Sequence, residues 1–227
     1  TPLGLTHAFV VPTDVMTHRF VIGHSAGASG ATTLRPWPFP RASVAAGGVV
    51  TSIRELLRYA RFHLQGDSSI LADANRLAMQ TEQAPAGNFA DAVGLTWMLR
   101  TVGGARTVRH GGATLGQMAE LALVPDRQFA IAVVTNANRG GELNLDVVKW
   151  ALREYLGAYD PTPHYLELPA DRLGAYVGRY DAPLQSIEVR LEDQGLMLYV
   201  TPKGGFLTID APAPPPPPPA RLAFTAI

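Results

Sequence analysis

The 227-residue sequence has no cysteine and only two lysines, Lys149 and Lys203. Without cysteine there is no disulfide framework and no thiolate metal site. Six histidines are scattered without ligand spacing, so no metal centre is expected. Nineteen basic residues balance nineteen acidic ones, and no basic run breaks the balance, so nucleic acid is not an expected partner. No stretch approaches the roughly 20 apolar residues of a membrane helix, so no membrane span is expected. The first residues lack the basic region and apolar run of a signal peptide, and no targeting segment identifies a compartment. What is present is 47% hydrophobic and 17% charged residues, enough for one core and a smaller second unit.

Residues 108 to 135, VRHGGATLGQMAELALVPDRQFAIAVVT, read as three strands. Thr107 to His110 leads into Gly111-Gly112, and Gln117 to Val124 follows. Phe129 to Thr135 returns after Pro125-Asp126-Arg127-Gln128, where proline presets φ and Asp can bond its own backbone. The return strand is almost wholly apolar, which predicts a central strand buried on both faces. A His-Gly-Gly at the rim of such a sheet is a candidate site, because glycine lets a substrate lie against the strand edge.

Around this stretch the spacing predicts helices. Ser52 and Glu55 form a capping box for a helix over Ser52 to Gln65. Ile53, Leu56, Leu57, Ala60 and Leu64 then share one face, and Gly66 ends it. Arg54, Arg58 and Arg61 make a solvated face, with His63 at the surface or boundary. A second helix covers about Asp73 to Glu82. A strand over Phe89 to Arg100 carries Trp97 into the core or a pocket wall, and Gly103-Gly104 turns it back antiparallel. After a loop at 136 to 141, a helix over Leu145 to Leu156 closes the unit with Leu145, Val148, Leu152, Tyr155 and Leu156 inward. Pro161 and Pro163 mark a linker. Beyond it, Leu173 to Tyr180, Ile187 to Leu191 and Leu196 to Val200 read as short strands, with a turn at Glu192-Asp193-Gln194-Gly195. The prolines from Pro214 to Pro219 form an extended loop. The expected fold class is therefore α+β. Residues 1–160 make an antiparallel sheet flanked by helices, and 161–227 a small, incomplete all-β barrel-like appendage whose open edges allow self-association.

Five short motifs occur in order: Pro2-Leu3-Gly4-Leu5-Thr6-His7, Ala46-Gly47-Gly48-Val49-Val50-Thr51-Ser52, Val93-Gly94-Leu95-Thr96-Trp97, His110-Gly111-Gly112-Ala113 and Val134-Thr135-Asn136. Together they resemble the serine β-lactamase and penicillin-binding-protein-like hydrolase family, especially its class C and esterase-like members, over roughly Thr1 to Gly157. Tyr176-Val177-Gly178-Arg179-Tyr180 resembles the opening of the lipocalin-like barrel that many members carry. The resemblance implies a partial β-lactamase/transpeptidase-like fold and serine acyl transfer without a cofactor. The implied substrate is a small molecule or peptide: a β-lactam, a D-amino-acid peptide or an ester. It gives His110 the third-motif position, where a histidine can donate a hydrogen bond or relay a proton near pH 7. It gives Gly111 and Gly112 the substrate-binding edge, and the Ala113 backbone N–H half of an oxyanion hole. Asn136 and Asn138 fit the pocket rim, or equally a loop turn.

The family's Ser-Xaa-Xaa-Lys and Tyr-Xaa-Asn motifs are missing: neither lysine has a serine three residues before it, and no tyrosine has an asparagine two residues after it. The expectation is the C-terminal portion of a longer enzyme, inactive alone, with its nucleophile upstream. Two rival readings stand beside it. Gly23-His24-Ser25-Ala26-Gly27 fits the nucleophile elbow of α/β-hydrolases, which needs a strand before Ser25 and a helix directly after; Asp91 and His110 follow in the required order. The other rival is a non-catalytic binding or assembly module.

Overall fold

The computed structural model describes residues 2–27, 30–36, 39, 41–87, 89–161, 165–193, 195–204, 213 and 216–225, with 170 described in its backbone only. Pro38, Pro40, Pro163, Gln194 and the start of the Pro214–Pro219 run lie outside the described residues. The chain divides into two compact units, residues 1–160 and 161–227.

The first unit is built on a six-stranded antiparallel meander. Its strands are β1 (Ala84–Pro85), β2 (Ala92–Val93), β3 (Met98–Val102), β4 (Ala105–Thr114), β5 (Gln117–Val124) and β6 (Phe129–Thr135), neighbours in space as in sequence. Three helices serve it: α1 (Ile53–Gln65), α2 (Asp73–Met79) and α3 (Gly140–Leu156). Strand alternation sorts the side chains onto two faces. Val108, Leu121 and Leu123 point with Trp97 and Leu99 toward Ala60 of α1. Ala122 and Val124 point toward Val148 and Leu152 of α3.

Several expectations change here. Among the described residues the apolar β6 is the last strand of the sheet, not a central one. Its composition answers to α1 on one face and α3 on the other, and helices cover faces without pairing an edge. The strand expected from Phe89 is broken between Val93 and Met98. The Leu95 N–H is tied to the Met79 carbonyl at the end of α2 (2.9 Å), and Thr96 takes a positive φ of 70°.

Helix α1 begins as its cap predicts, with the Glu55 N–H donating to Ser52 Oγ at 3.4 Å. The Glu55 carboxylate, however, pairs with Arg58 at 3.2 Å. The helix is also rotated from the expected face. Ile53 and Leu57 are exposed, while Glu55, Ala60, Phe62 and His63 are buried. His63 is 1% exposed, among Tyr59, Phe62 and Trp97. Helix α3 starts five residues earlier than expected. At Gly140 a Cβ would collide with Thr135 Oγ1, so the glycine that reads as loop in the sequence is what lets the helix begin against the sheet. Asn144 is turned inward and Tyr155 outward.

In the second unit β7 (Gly178–Asp181), β8 (Gln185–Glu192), β9 (Gly195–Pro202) and β10 (Ala220–Leu222) form an antiparallel meander, open among the described residues. The strand expected from Leu173 begins only at Gly178. Before it, Ala170–Leu173 and Gly174–Tyr176 are helical turns that deliver Leu173 into a small core with Val189 and Leu196.

Candidate active site

The site is set by where one strand loses its neighbour. Strand β3 pairs with β4 from Val102↔Ala105 to Met98↔Arg109 and ends there. Strand β5 continues beside β4 to Thr114↔Gln117. Among the described residues, His110 to Thr114 therefore has a partner strand on one side and a free edge on the other.

Which backbone groups face that edge follows from counting. Leu115 (φ 37°) and Gly116 (φ 77°) make a two-residue turn with both φ values positive, the form that suits a tight hairpin. The residues flanking such a turn, Thr114 and Gln117, exchange both hydrogen bonds, and hydrogen-bonded pairs alternate with open ones along an antiparallel ladder. His110, Gly112 and Thr114 thus bond to β5, while the N–H and C=O groups of Gly111 and Ala113 point outward. The β3–β4 hairpin gives the same phase. From its turn at Gly103-Gly104, residues Ala105, Thr107 and Arg109 bond to β3, and the next groups on that side belong to Gly111 and Ala113.

The two glycines do different work. A Cβ on Gly111 would stand 2.5 Å from Glu120 Oε2, so this glycine admits the carboxyl group of its cross-strand partner. Nothing lies within 4 Å of a Cβ built on Gly112. His110 and Ala113 are exposed, and no described residue hydrogen-bonds the His110 ring. The His-Gly-Gly triplet and the Ala113 amide are thus brought together on one open strand segment.

The hairpin tip is gripped from both sides. A Cβ on Gly47, in the Ala-Gly-Gly motif, would lie 3.3 Å from Thr114 Cγ2. Gly23 and His24 run so close to the tip that a Cβ on Gly23 would strike the Leu115 carbonyl, and one on Gly116 would lie 2.5 Å from the His24 oxygen. Gln117 Nε2 donates to the Val21 carbonyl at 2.6 Å. The Gly-His-Ser-Ala-Gly stretch is therefore not an elbow. It forms the strand His24–Gly27, antiparallel to Gly30–Thr33, with Ser25 opposite Thr32 and a second strand where a helix is required.

Asn136 and Asn138 hold this ribbon. Asn136 Nδ2 donates to the Ile22 carbonyl (3.1 Å), and Asn138 Oδ1 accepts from the Ala26 N–H (2.7 Å). Their side chains engage protein backbone, not the free edge.

Two further residues beside the edge escape sequence reasoning. Glu120 is 7% exposed, and Arg109 approaches it at 3.6 Å. Burial pushes its carboxyl pKa up, against smaller pulls from Arg109 and His110. Alternation along Gln117–Val124 carries the signal for it, since Glu120 shares a face with Ala122 and Val124. Asn144, 1% exposed, faces the same side from the second turn of α3. Among the described residues no group of three or more His, Asp or Glu is arranged to hold a metal.

Residues 1–152 match the family model described as Beta-lactamase. Penicillin-binding protein 4 of Amycolatopsis lactamdurans is 28% identical over 176 residues, covering 71% of this chain and 45% of that protein. The octameric penicillin-binding protein homologue from Pyrococcus abyssi superposes with a TM-score of 0.64 at 21% identity, over 88% of this chain and 47% of that one. SurE gives 0.56 at 26% identity, over 94% and 53%, and has also been solved with D-Leu. The chain spans about half the length of these relatives. The free-edged His-Gly-Gly strand thus stands in an α+β fold shared with penicillin-binding proteins, and the chain belongs to the β-lactamase family.

Proposed function

We propose that these 227 residues form the substrate-binding wall of a serine acyl-transfer site whose nucleophilic serine lies outside them. The free edge of His110–Thr114, with the backbone groups of Gly111 and Ala113 turned outward, carries this reading. An extended acyl substrate adds to such an edge as a further strand, fixed by main-chain hydrogen bonds. The Ala113 N–H then stands ready to receive the oxyanion of a tetrahedral intermediate, a contact whose removal typically lowers the rate by roughly 10²–10³. His110, exposed beside it, donates a hydrogen bond or relays a proton to the leaving group. Asn136 and Asn138 act on the rim by fixing the ribbon. Among β-lactams, D-amino-acid peptides and esters, the penicillin-binding relative supports a β-lactam, and the SurE solved with D-Leu supports a D-amino-acid substrate. The second unit is read as the start of a lipocalin-like appendage, which its open meander supports.

The test is labelling with a fluorophosphonate probe, mapped by peptide mass. The folded chain alone is expected to carry no stoichiometric label on any serine; full labelling of Ser25 would overturn the proposal. In catalytically competent protein, Gly112→Val should block the edge and lower kcat/KM at least about a hundredfold with the fold intact.

One observation favours assembly as a second role. Strand β6 is an apolar edge with Val134 exposed, and exposed edges recruit other strands. Sedimentation would show a dimer that Val134→Lys dissociates.

A further inference from the structure

Beside the free edge, on its α3 side, lies a cavity of about 370 Å³. It is bounded by Gly111 to Ala113 on β4, Met118 on β5, and Gly141 and Leu145 on α3. Glu120 and Asn144 also border it, but Glu120 Oε1 and both amide atoms of Asn144 are sealed from solvent. Ala113 is exposed, and Met118, Gly141 and Leu145 are half-buried. What an occupant can reach is therefore mostly hydrocarbon, and the strand that carries the free edge is part of the same wall.

A substrate strand added to the edge places its side chains by the same alternation that governs β4. Because the Ala113 N–H and C=O face outward, the substrate residue opposite Ala113 exchanges both hydrogen bonds with it. The carbonyl of that residue is the one that meets the Ala113 N–H. Its side chain falls on the Ala113 side of the sheet, shared with Met118 and α3, with the two Cβ atoms about 4.5–5.5 Å apart. Position 113 carries only a methyl group, so little stands between the edge and the cavity there. At position 111 a Cβ would lie 2.5 Å from Glu120 Oε2, so that place is already taken and the way in is over Ala113. Across the cavity, Met118 Cε would stand 3.0 Å from a Cβ on Gly141. The missing side chain gives the thioether room, and an unbranched methionine adapts its shape to what it covers.

We infer that this cavity is the side-chain subsite of the edge, taking a short aliphatic group such as isobutyl, carried on the substrate carbon next to the carbonyl that Ala113 receives. The inference rests on the strand-edge reading and adds the chemistry of the group that the edge selects. Hydrocarbon laid against Ala113, Met118 and Leu145 gains affinity in proportion to the area it buries. A charged group would lose its water there and gain no partner. The sealed atoms are out of its reach, and the Arg109 guanidinium already faces Glu120 Oε1 at 3.6 Å.

NMR titration of the 227-residue chain, labelled at its amides and methyl groups, tests the inference without turnover. The probes are the N-acetyl methylamides of glycine, alanine, leucine and aspartate, the last three in both enantiomers. The Gly111 and Ala113 amides are expected to shift, and with the leucine compound the Met118 and Leu145 methyls as well. At least one leucine enantiomer should bind at least about tenfold more tightly than the glycine compound, and the aspartate compounds no more tightly than glycine. Ala113→Leu keeps the backbone N–H but fills the way in, and should abolish the leucine preference. Shifts of the Gly111 and Ala113 amides with equal affinity for glycine and leucine would overturn the subsite and leave the strand-edge reading standing. No shift of those two amides with any probe would overturn the edge reading and the subsite with it. A folded Ala113→Leu chain that still prefers leucine would overturn the subsite alone. The probe series uses the unaltered chain, so it decides the matter even where the variant fails to fold.

Discussion

The two faces of the six-stranded sheet solve the same packing problem differently. On the α1 side Trp97, Leu99, Val108, Leu121 and Leu123 close around Ala60 in a continuous apolar core. A titratable group admitted there, His63, is wrapped in aromatic rings. Its carbonyl is held by Arg76 at 2.6 Å and Gln80 at 2.9 Å. On the α3 side the apolar cluster of Ala122, Val124, Val148 and Leu152 occupies only one end. Toward the hairpin tip it gives way to Glu120, Asn144 and a cavity. The apolar packing is continuous on one face; on the other it stops short beside the proposed substrate edge.

Three measurements sharpen that contrast, the largest effect first. Leu123→Ala removes a fully buried side chain from the finished face. It should lower the free energy of unfolding by about 2–5 kcal/mol in urea titration, as large-to-small changes in close-packed cores do. His63 should make the same face sensitive to acid. Burial, and secondarily the nearby Arg76 charge, bring its pKa down from 6.5 to about 4. The unfolded chain therefore takes up a proton between those values that the folded chain refuses. Stability is full above about pH 6.5 and falls as the pH drops toward 4, by about 3 kcal/mol over the whole interval. His63→Phe should flatten this slope; an unchanged slope would show that another group causes it.

Glu120 gives the opposite sign and a smaller effect. Its raised pKa means that the folded state keeps its proton at a pH where the unfolded state has released it. Its contribution is fully present below the ordinary glutamate range and is lost as the pH rises through the raised value. Glu120→Gln should abolish that loss and leave the chain slightly more stable at neutral pH, measured as a higher Tm.

The sequence made the hairpins legible, and the motifs followed them. Gly103-Gly104 marks one turn and Pro125-Asp126 another, because turns depend on local chemistry that a few residues carry. The two glycines pointed to a strand edge and the family resemblance to the motif, but the extent of that edge depends on where β3 stops relative to β4, which no local rule contains. Burial was harder to read. Ile53 and Leu57 look like the inner stripe of α1, yet Glu55 and His63 take that place; the helix's rotation is fixed by Trp97, in contact with Tyr59 and His63 across a long separation in sequence. The apolar run Phe129–Thr135 carries no record of whether its neighbours are strands or helices. Asn144 lies between the loop expected at 136–141 and the helix expected from Leu145, and only the tight contact of Gly140 with Thr135 reveals the helix start.

The turn at Leu115-Gly116 also acts as a counter. Its two residues set the phase by which odd-numbered positions of the His110–Ala113 segment present their amides to the open side. A single residue inserted between Ala113 and Thr114 would preserve every letter of the His-Gly-Gly motif and yet exchange its inward and outward sets. The active element of this strand is thus a parity, spelled by the distance to the turn as much as by the residues themselves.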